Sequence, residues 1–203
     1  MQIAVIRARI SAICIQNAVS AGLRESGGMH DGSGSRDEDL LRHLDDLVTR
    51  SYESATSWPD RLALFLRAVE LLDPVVRAAC QHANMTFLES TGEITHHSVE
   101  QDDGSVEAHW ELSWPRQREA TSRDGGPVVP VQVIAWFRRS FNHPHLRGST
   151  AGDWPLQVTT TEDAARQEPI VRAIVEAELH QRIYEGRWPV MPVAVRKYGR
   201  PPG

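Results

Sequence analysis

A chain of 203 residues with 40% hydrophobic and 24% charged residues can bury one domain core, and it holds no unbroken apolar run of the length a membrane span needs. The formal net charge of −5 argues against general nucleic-acid binding, which draws on a basic surface. Cys14 and Cys80 are too few and too far apart for a zinc ribbon or a disulfide framework, so a reducing, cytoplasmic setting of bacterial type is expected.

Lys197 is the only lysine, and every other basic residue is arginine, as in a GC-rich genome. Met1 to Ala21 is mildly apolar, but Arg7 and Arg9 interrupt it, which fits neither a secretory signal nor a membrane span. Ser26 to Arg36 is rich in glycine and serine and reads as a flexible linker. Residues 1–36 are therefore expected to be a leader outside the core, with Met29 as an alternative start. Residues 37–190 are expected to form a single α+β domain, and 191–203 a Pro/Arg-rich tail.

A first helix is predicted from Asp37, with Leu40, Leu41, Leu44, Leu47 and Val48 at helical spacing. Ser57-Trp58-Pro59-Asp60 opens a second, Ser57 as N-cap and Pro59 in the first turn. Pro74 is expected to kink or restart it, with Asp73 as a new cap, giving a helical hairpin or three-helix unit. Cys80 falls on the apolar side and reads as an inert buried thiol.

Strand composition follows. Glu93 to Val99 and Val106 to Trp114 flank Asp102-Asp103-Gly104, a hairpin signal. Val106, Ala108, Trp110, Leu112 and Trp114 alternate with polar residues, so one face is buried. Arg116 to Gly126 reads as a polar loop. Val128 to Phe137 is the central strand, with Pro130 near its start. Arg138 to Thr161 is a long ordered loop. Thr159 to Thr161 with Glu162 and Asp163 form a capping-box start, Pro169 enters the first turn of the main final helix, and Gly186 ends it. Trp188 to Gly203 reads as an extended tail. The fold class is α+β: an N-terminal helical hairpin, a three-stranded antiparallel meander, a long ordered loop and a C-terminal helix.

The long loop carries the densest chemistry. His143 and His145 flank rigid Pro144, and Asp153 follows, so two imidazoles and a carboxylate are candidates for an open divalent-metal site. His96, His97 or His109 could add a third nitrogen. On the final helix Arg172, Glu176 and His180 stand four apart, with Glu178 and Glu185 nearby, and read as a surface ladder rather than an acid/base pair. Arg138, Arg139 and Arg147, with Trp154 and Trp188, are candidates for contact with a protein or anionic partner. No phosphate loop, GxSxG elbow, HExxH or paired CxxC is present, so no catalytic residue is assigned.

Trp114-Pro115, Pro127, Pro130, a strand, then His143-Pro144-His145 and Gly148 resemble the pattern of ubiquitin-conjugating E2 proteins over Glu93 to Trp154. That fold has a meander, a proline-rich turn, a His-Pro dipeptide and a long active-site loop. The pattern departs at its chemistry: no cysteine follows His-Pro, Asp153 and Trp154 occupy that neighbourhood, and the spacer after Pro115 is long. The resemblance implies at most a non-catalytic binding variant, and no family is assigned from it. The leading expectation is a non-catalytic interaction or accessory protein, as a monomer or homo-oligomer. The alternative is a small metalloenzyme or ligand-binding protein centred on the His-Pro-His loop.

Overall fold

The computed structural model describes residues 32–150 and 152–199. The leader reading for Met1 to Asp31, Cys14 within it, and the last residues of the tail lie outside the described residues.

The chain is a mixed helix and sheet protein of two layers. Helix α1 (Gly32–Thr49) precedes the long helix α2 (Trp58–Phe87). Strands β1 (Glu93–Glu100), β2 (Val106–Ser113), β3 (Val131–Phe137), β4 (His145–Gly148) and β5 (Trp154–Pro155) pair antiparallel in chain order. The short helix α3 (Pro115–Glu119) interrupts the meander. Helices α4 (Thr161–Arg166), α5 (Glu168–Gly186) and α6 (Pro192–Tyr198) complete the described chain.

The expected meander is thus five strands rather than three. Its extra strands come from the stretch expected to be a loop, because β4 and β5 are too short to show a period of two. The start of α1 also moves: Gly32 to Arg36, expected in the linker, is helical. The polar-loop reading of Arg116 to Gly126 gives way at its start to α3, where Gln117 is buried. Pro192 to Tyr198 winds into a helix where an extended tail was expected, since Pro192 sits in a first turn and tolerates it.

Pro74 lies inside one continuous α2 and does not restart it. Leu72 and Val76 on either side are both fully buried, so core packing carries the helix through the lost hydrogen bond. Asp73 is not a cap: it accepts the Trp110 indole N–H at 2.8 Å and pairs with Arg77. Ser57 does cap α2, accepting from the Asp60 amide, and Thr160 with Asp163 forms the capping box of α4.

Helices α2 and α5 pack against each other and against one face of the sheet. Val106, Ala108, Trp110 and Leu112 of β2 and Val131, Val133, Ala135 and Phe137 of β3 meet Phe65, Leu72, Val76, Ile174 and Val175 there. Cys80 is buried in this core, and burial pushes its thiol up to about 12, as an inert thiol requires. The opposite sheet face carries Glu107, His109, Gln132, Ile134, Trp136, His145 and Arg147 in register, and belongs to no part of that core.

One buried ion pair ties the sheet to α5. Glu178 and Arg182 are 0% and 1% exposed and meet at 2.6 Å. Glu178 also accepts from the Thr150 amide and hydroxyl at 2.8 and 2.7 Å and from the Ser149 hydroxyl. Burial raises the Glu178 carboxyl, but these hydrogen bonds and the guanidinium outweigh it and hold the group below the usual range. Directly above, a Cβ on Gly148 would stand 2.7 Å from Glu178 Oε1, so β4 needs glycine there.

Glu178→Ala, which removes the buried partner of Arg182 and the acceptor of Ser149 and Thr150 while Glu185 still pairs with Arg182, is expected to cost about 3 kcal/mol in urea unfolding. Gly148→Ala is expected to destabilise measurably in the same assay, whereas Gly152→Ala, where nothing lies within 4 Å, should be near neutral.

Candidate functional site

The structure brings His143 and His145 together and adds a third imidazole that the sequence did not suggest. His43 comes from α1, and its ring centroid lies 4.0 Å from that of His143 and 6.1 Å from that of His145. His143 and His145 stand 4.5 Å apart. Pro144 sets their separation, and β4 begins at His145, which pairs with Trp136 on β3. Four ring nitrogens in this cluster are buried without a hydrogen-bond partner: Nδ1 of His43, both nitrogens of His143, and Nδ1 of His145.

All three imidazoles are held neutral. Burial pushes His143 down to about 3, and the positive charges that His43 and His145 would carry push the same way. Burial also lowers His43, against the attraction of Asp46, and lowers His145, against that of Asp153. The rings of His43 and His143 are inclined by 37° at close range. Among the described residues no group of three His, Cys, Asp or Glu side chains is arranged to hold a metal ion. Asp153 is engaged elsewhere: it accepts the Trp136 indole N–H at 2.9 Å.

The other suggested nitrogens stay with their own strands. His96 stacks on Trp110 at 4.7 Å, and His97 stacks on His109, which reaches Glu107 at 3.0 Å. Arg172, Glu176 and His180 are all exposed on α5, as a surface ladder would be, but Glu178 belongs to the buried pair described above.

Trp136 is the centre of a second grouping that adjoins the histidines. His145 stacks on its ring at 4.6 Å, and Phe141 meets the ring edge-on at 5.3 Å. The Arg138 and Arg147 guanidinium groups lie 5.1 and 5.7 Å from its centroid. Arg138 is exposed, while Arg147 is half-buried and 3.8 Å from Glu107. Arg61 of α2 donates to the carbonyls of Phe141 and Asn142 and so fixes the turn that presents this grouping. Arg139 is exposed beside Arg138. The two suggested tryptophans do not join them: Trp154 packs partly into the core, and Trp188 pairs with Tyr198.

Neither of two surface depressions among the described residues resembles a substrate cleft. The roomier, about 230 Å³, lies between the end of α2, α5 and Met191, below the roughly 300–1,000 Å³ of small-molecule sites. No described helix is long and apolar enough to cross a membrane. No family model, curated protein or solved structure matches the chain.

His43 was hidden because nothing in α1 marks it. Its partners are a hundred residues on, and its helix shows leucines that draw the eye to the opposite face. The one available signal was the polar run Asp39, Arg42, His43 and Asp46, a second stripe at helical spacing.

The neutral cluster links stability to pH. A buried histidine whose folded pKa lies below its unfolded value adds stability that is complete above about 6.5 and is lost as pH falls toward the folded value. For His143 that window runs from about 6.5 down to about 3. The melting temperature is expected to fall steadily as pH drops from 7 to 4, and His143→Phe should flatten that fall. An equally steep fall in the variant would assign the acid sensitivity elsewhere.

Proposed function

We propose that the protein is a non-catalytic binding or accessory protein that takes an anionic segment of a partner protein on the platform around Trp136. The observation that carries this reading is the placement of Arg138 and Arg147 against one tryptophan ring. Stacking restrains the two guanidinium groups and leaves N–H donors for carboxylates, so less freedom is lost on binding. Arg139 widens the basic edge, and Phe141 supplies an apolar rim that is 41% exposed. Aromatic and arginine side chains of this kind dominate binding hot spots. The carboxylates at Asp46, Asp163 and Glu178 are committed to structural hydrogen bonds, which favours binding over acid/base chemistry.

The test is a titration with an oligo-glutamate peptide, followed by the Trp136 indole resonance in nitrogen–proton NMR. Saturable shifts centred on Trp136, weakened by salt, are expected. Arg138→Ala with Arg147→Ala should abolish them without changing the remaining spectrum. Unchanged shifts in that variant would reject the platform.

The unpartnered nitrogens of His43, His143 and His145 favour a second reading, a ligand-binding or metal-binding protein. As these side chains stand, no group of three among the described residues is arranged to hold an ion, so metal binding would require them to move. Elemental analysis of the purified protein by ICP-MS separates the readings. Stoichiometric zinc or iron that disappears in His43→Ala would support the second, and its absence would leave the cluster structural.

A further inference from the structure

The sheet treats its two edges differently. At one edge β5 is two residues long and ends in Pro155, which has no N–H to offer. At the other, β1 runs eight residues with no proline, glycine or lysine, and its register with β2 is unbroken by any bulge. Edges are usually blunted by short length, proline, lysine or a bulge, and β1 has none of these.

The hairpin turn fixes which backbone groups of β1 point outward. The Gln101 amide donates to the Ser105 carbonyl at 2.8 Å, and the Gly104 amide donates to the Gln101 carbonyl at 2.9 Å. Gln101 therefore starts the hydrogen-bonded set, which an antiparallel ladder repeats at every second residue: Val99, His97, Thr95 and Glu93 bond to β2. The N–H and C=O of Ile94, His96, Ser98 and Glu100 point the other way, and no hydrogen bond reaches them from another element among the described residues. The next position of that outward set, Gly92, is already satisfied. The Asn84 side chain accepts from its amide at 2.8 Å and donates to its carbonyl at 3.2 Å. The open row thus runs from Ile94 to Glu100.

Only an extended strand can satisfy such a row, and this one suits itself. Outward residues must meet outward residues, so a twofold axis has to pass through a residue of β1 rather than between two. An axis at His97 sets Ile94 against Glu100, His96 against Ser98, Thr95 against Val99, and His97 against its own copy. An axis at His96 would need Gly92, which Asn84 holds, and one at Ser98 would run Ile94 into the turn at Asp102. In the His97 register no carboxylate faces another, since Glu93 meets Gln101 and Glu100 meets Ile94. Val99, 37% exposed, gains a β-branched partner in Thr95.

We propose that β1 is a homodimerisation edge, pairing antiparallel with β1 of a second copy of this chain about His97, so that the two sheets become one. The row in which His97 stacks on His109 at 5.1 Å then continues across the axis into the second copy. A single strand pair buries less than the roughly 1,600 Å² of a standard interface, so a dissociation constant in the micromolar range or weaker is expected.

The test is sedimentation equilibrium of the full chain from micromolar to near-millimolar concentration. The wild type is expected to pass from monomer to dimer. Ser98→Pro removes an outward N–H and no bond to β2, so it should keep the far-ultraviolet circular dichroism and abolish the dimer. His97→Glu sets like charges against each other at the axis and should weaken the dimer about fivefold. In a Cys14→Ser background, with Cys80 buried, His97→Cys should oxidise to a disulfide-linked dimer and Thr95→Cys should not, because Thr95 faces Val99 rather than itself. A wild type that stays monomeric throughout would overturn the proposal, and saturable binding of an extended peptide by that monomer would assign the edge to a foreign strand. A dimer indifferent to Ser98→Pro would also overturn it; where that variant fails to fold, a dimer indifferent to His97→Glu does the same. Cross-linking of Thr95→Cys in preference to His97→Cys would reject the register.

Discussion

The buried Glu178–Arg182 pair is the constraint on which the arrangement of strands and helices turns. An unpaired charge in that position would be intolerable, so α5 and the end of β4 must approach until Ser149 and Thr150 complete the hydrogen bonds around the carboxylate. Gly148 permits the approach because it has no side chain to oppose it. Arg182 in turn reaches Glu185 at 2.9 Å, which keeps a charged group at the edge of the core. With β4 fixed in this way, its alternate residues His145 and Arg147 are directed to the other sheet face, where they meet Trp136. The site candidates are therefore placed by a pair of residues that touch none of them.

The two layers divide the work by chemistry. The helix-covered face is aliphatic and aromatic, and its polar groups are few and paired, as Trp110 with Asp73 and Trp114 with the Val190 carbonyl show. The opposite face covers its own apolar residues with long polar ones. Ile134 and Trp136 are 5% and 4% exposed although they lie outside the core cluster, because Arg147, Arg138, His145 and Phe141 fold over Trp136. Arginine suits such a cover, since its stem packs on apolar surface while its head stays hydrated. A scattered set of arginines in the sequence thus becomes an organised surface only when the register of β3 and β4 is known.

The main core was legible in the sequence where a periodic pattern was long. Val106 to Leu112 alternated cleanly and β2 alternates cleanly; the caps at Ser57 and Thr160 and the end at Gly186 also match. Short elements were not legible, because four residues in β4 and two in β5 cannot establish a period. Pro74 misled for a different reason: propensity is a local quantity, and the packing of Leu72 and Val76 overrides it. At the candidate site, His143 and His145 were visible as a dense local motif. Their companion on α1 was not, since a contact across a hundred residues leaves no local trace. The orientation of α1 was hidden too. A leucine stripe in a sequence announces a helix and an apolar face, but not whether that face meets the chain's own core.

The underside of α1 explains why its orientation matters for function. Asp39 lies 3.5 and 3.6 Å from Arg42 and Arg166, within ion-pair reach yet beyond a good hydrogen bond, and its Oδ1 is buried without a partner. Gln157, Arg166 and Gln167 each leave a buried polar atom unpaired nearby, and the three imidazoles add four more. Such groups cost free energy in the docked state and recover it in water, so α1 has less to lose on opening than α2 or α5, which sit in the apolar core. Protonating the histidine cluster would weaken the dock further, since three cations cannot share that space. The same helix thus carries a neutral imidazole cluster on its inner side and a half-exposed to exposed leucine stripe on its outer side.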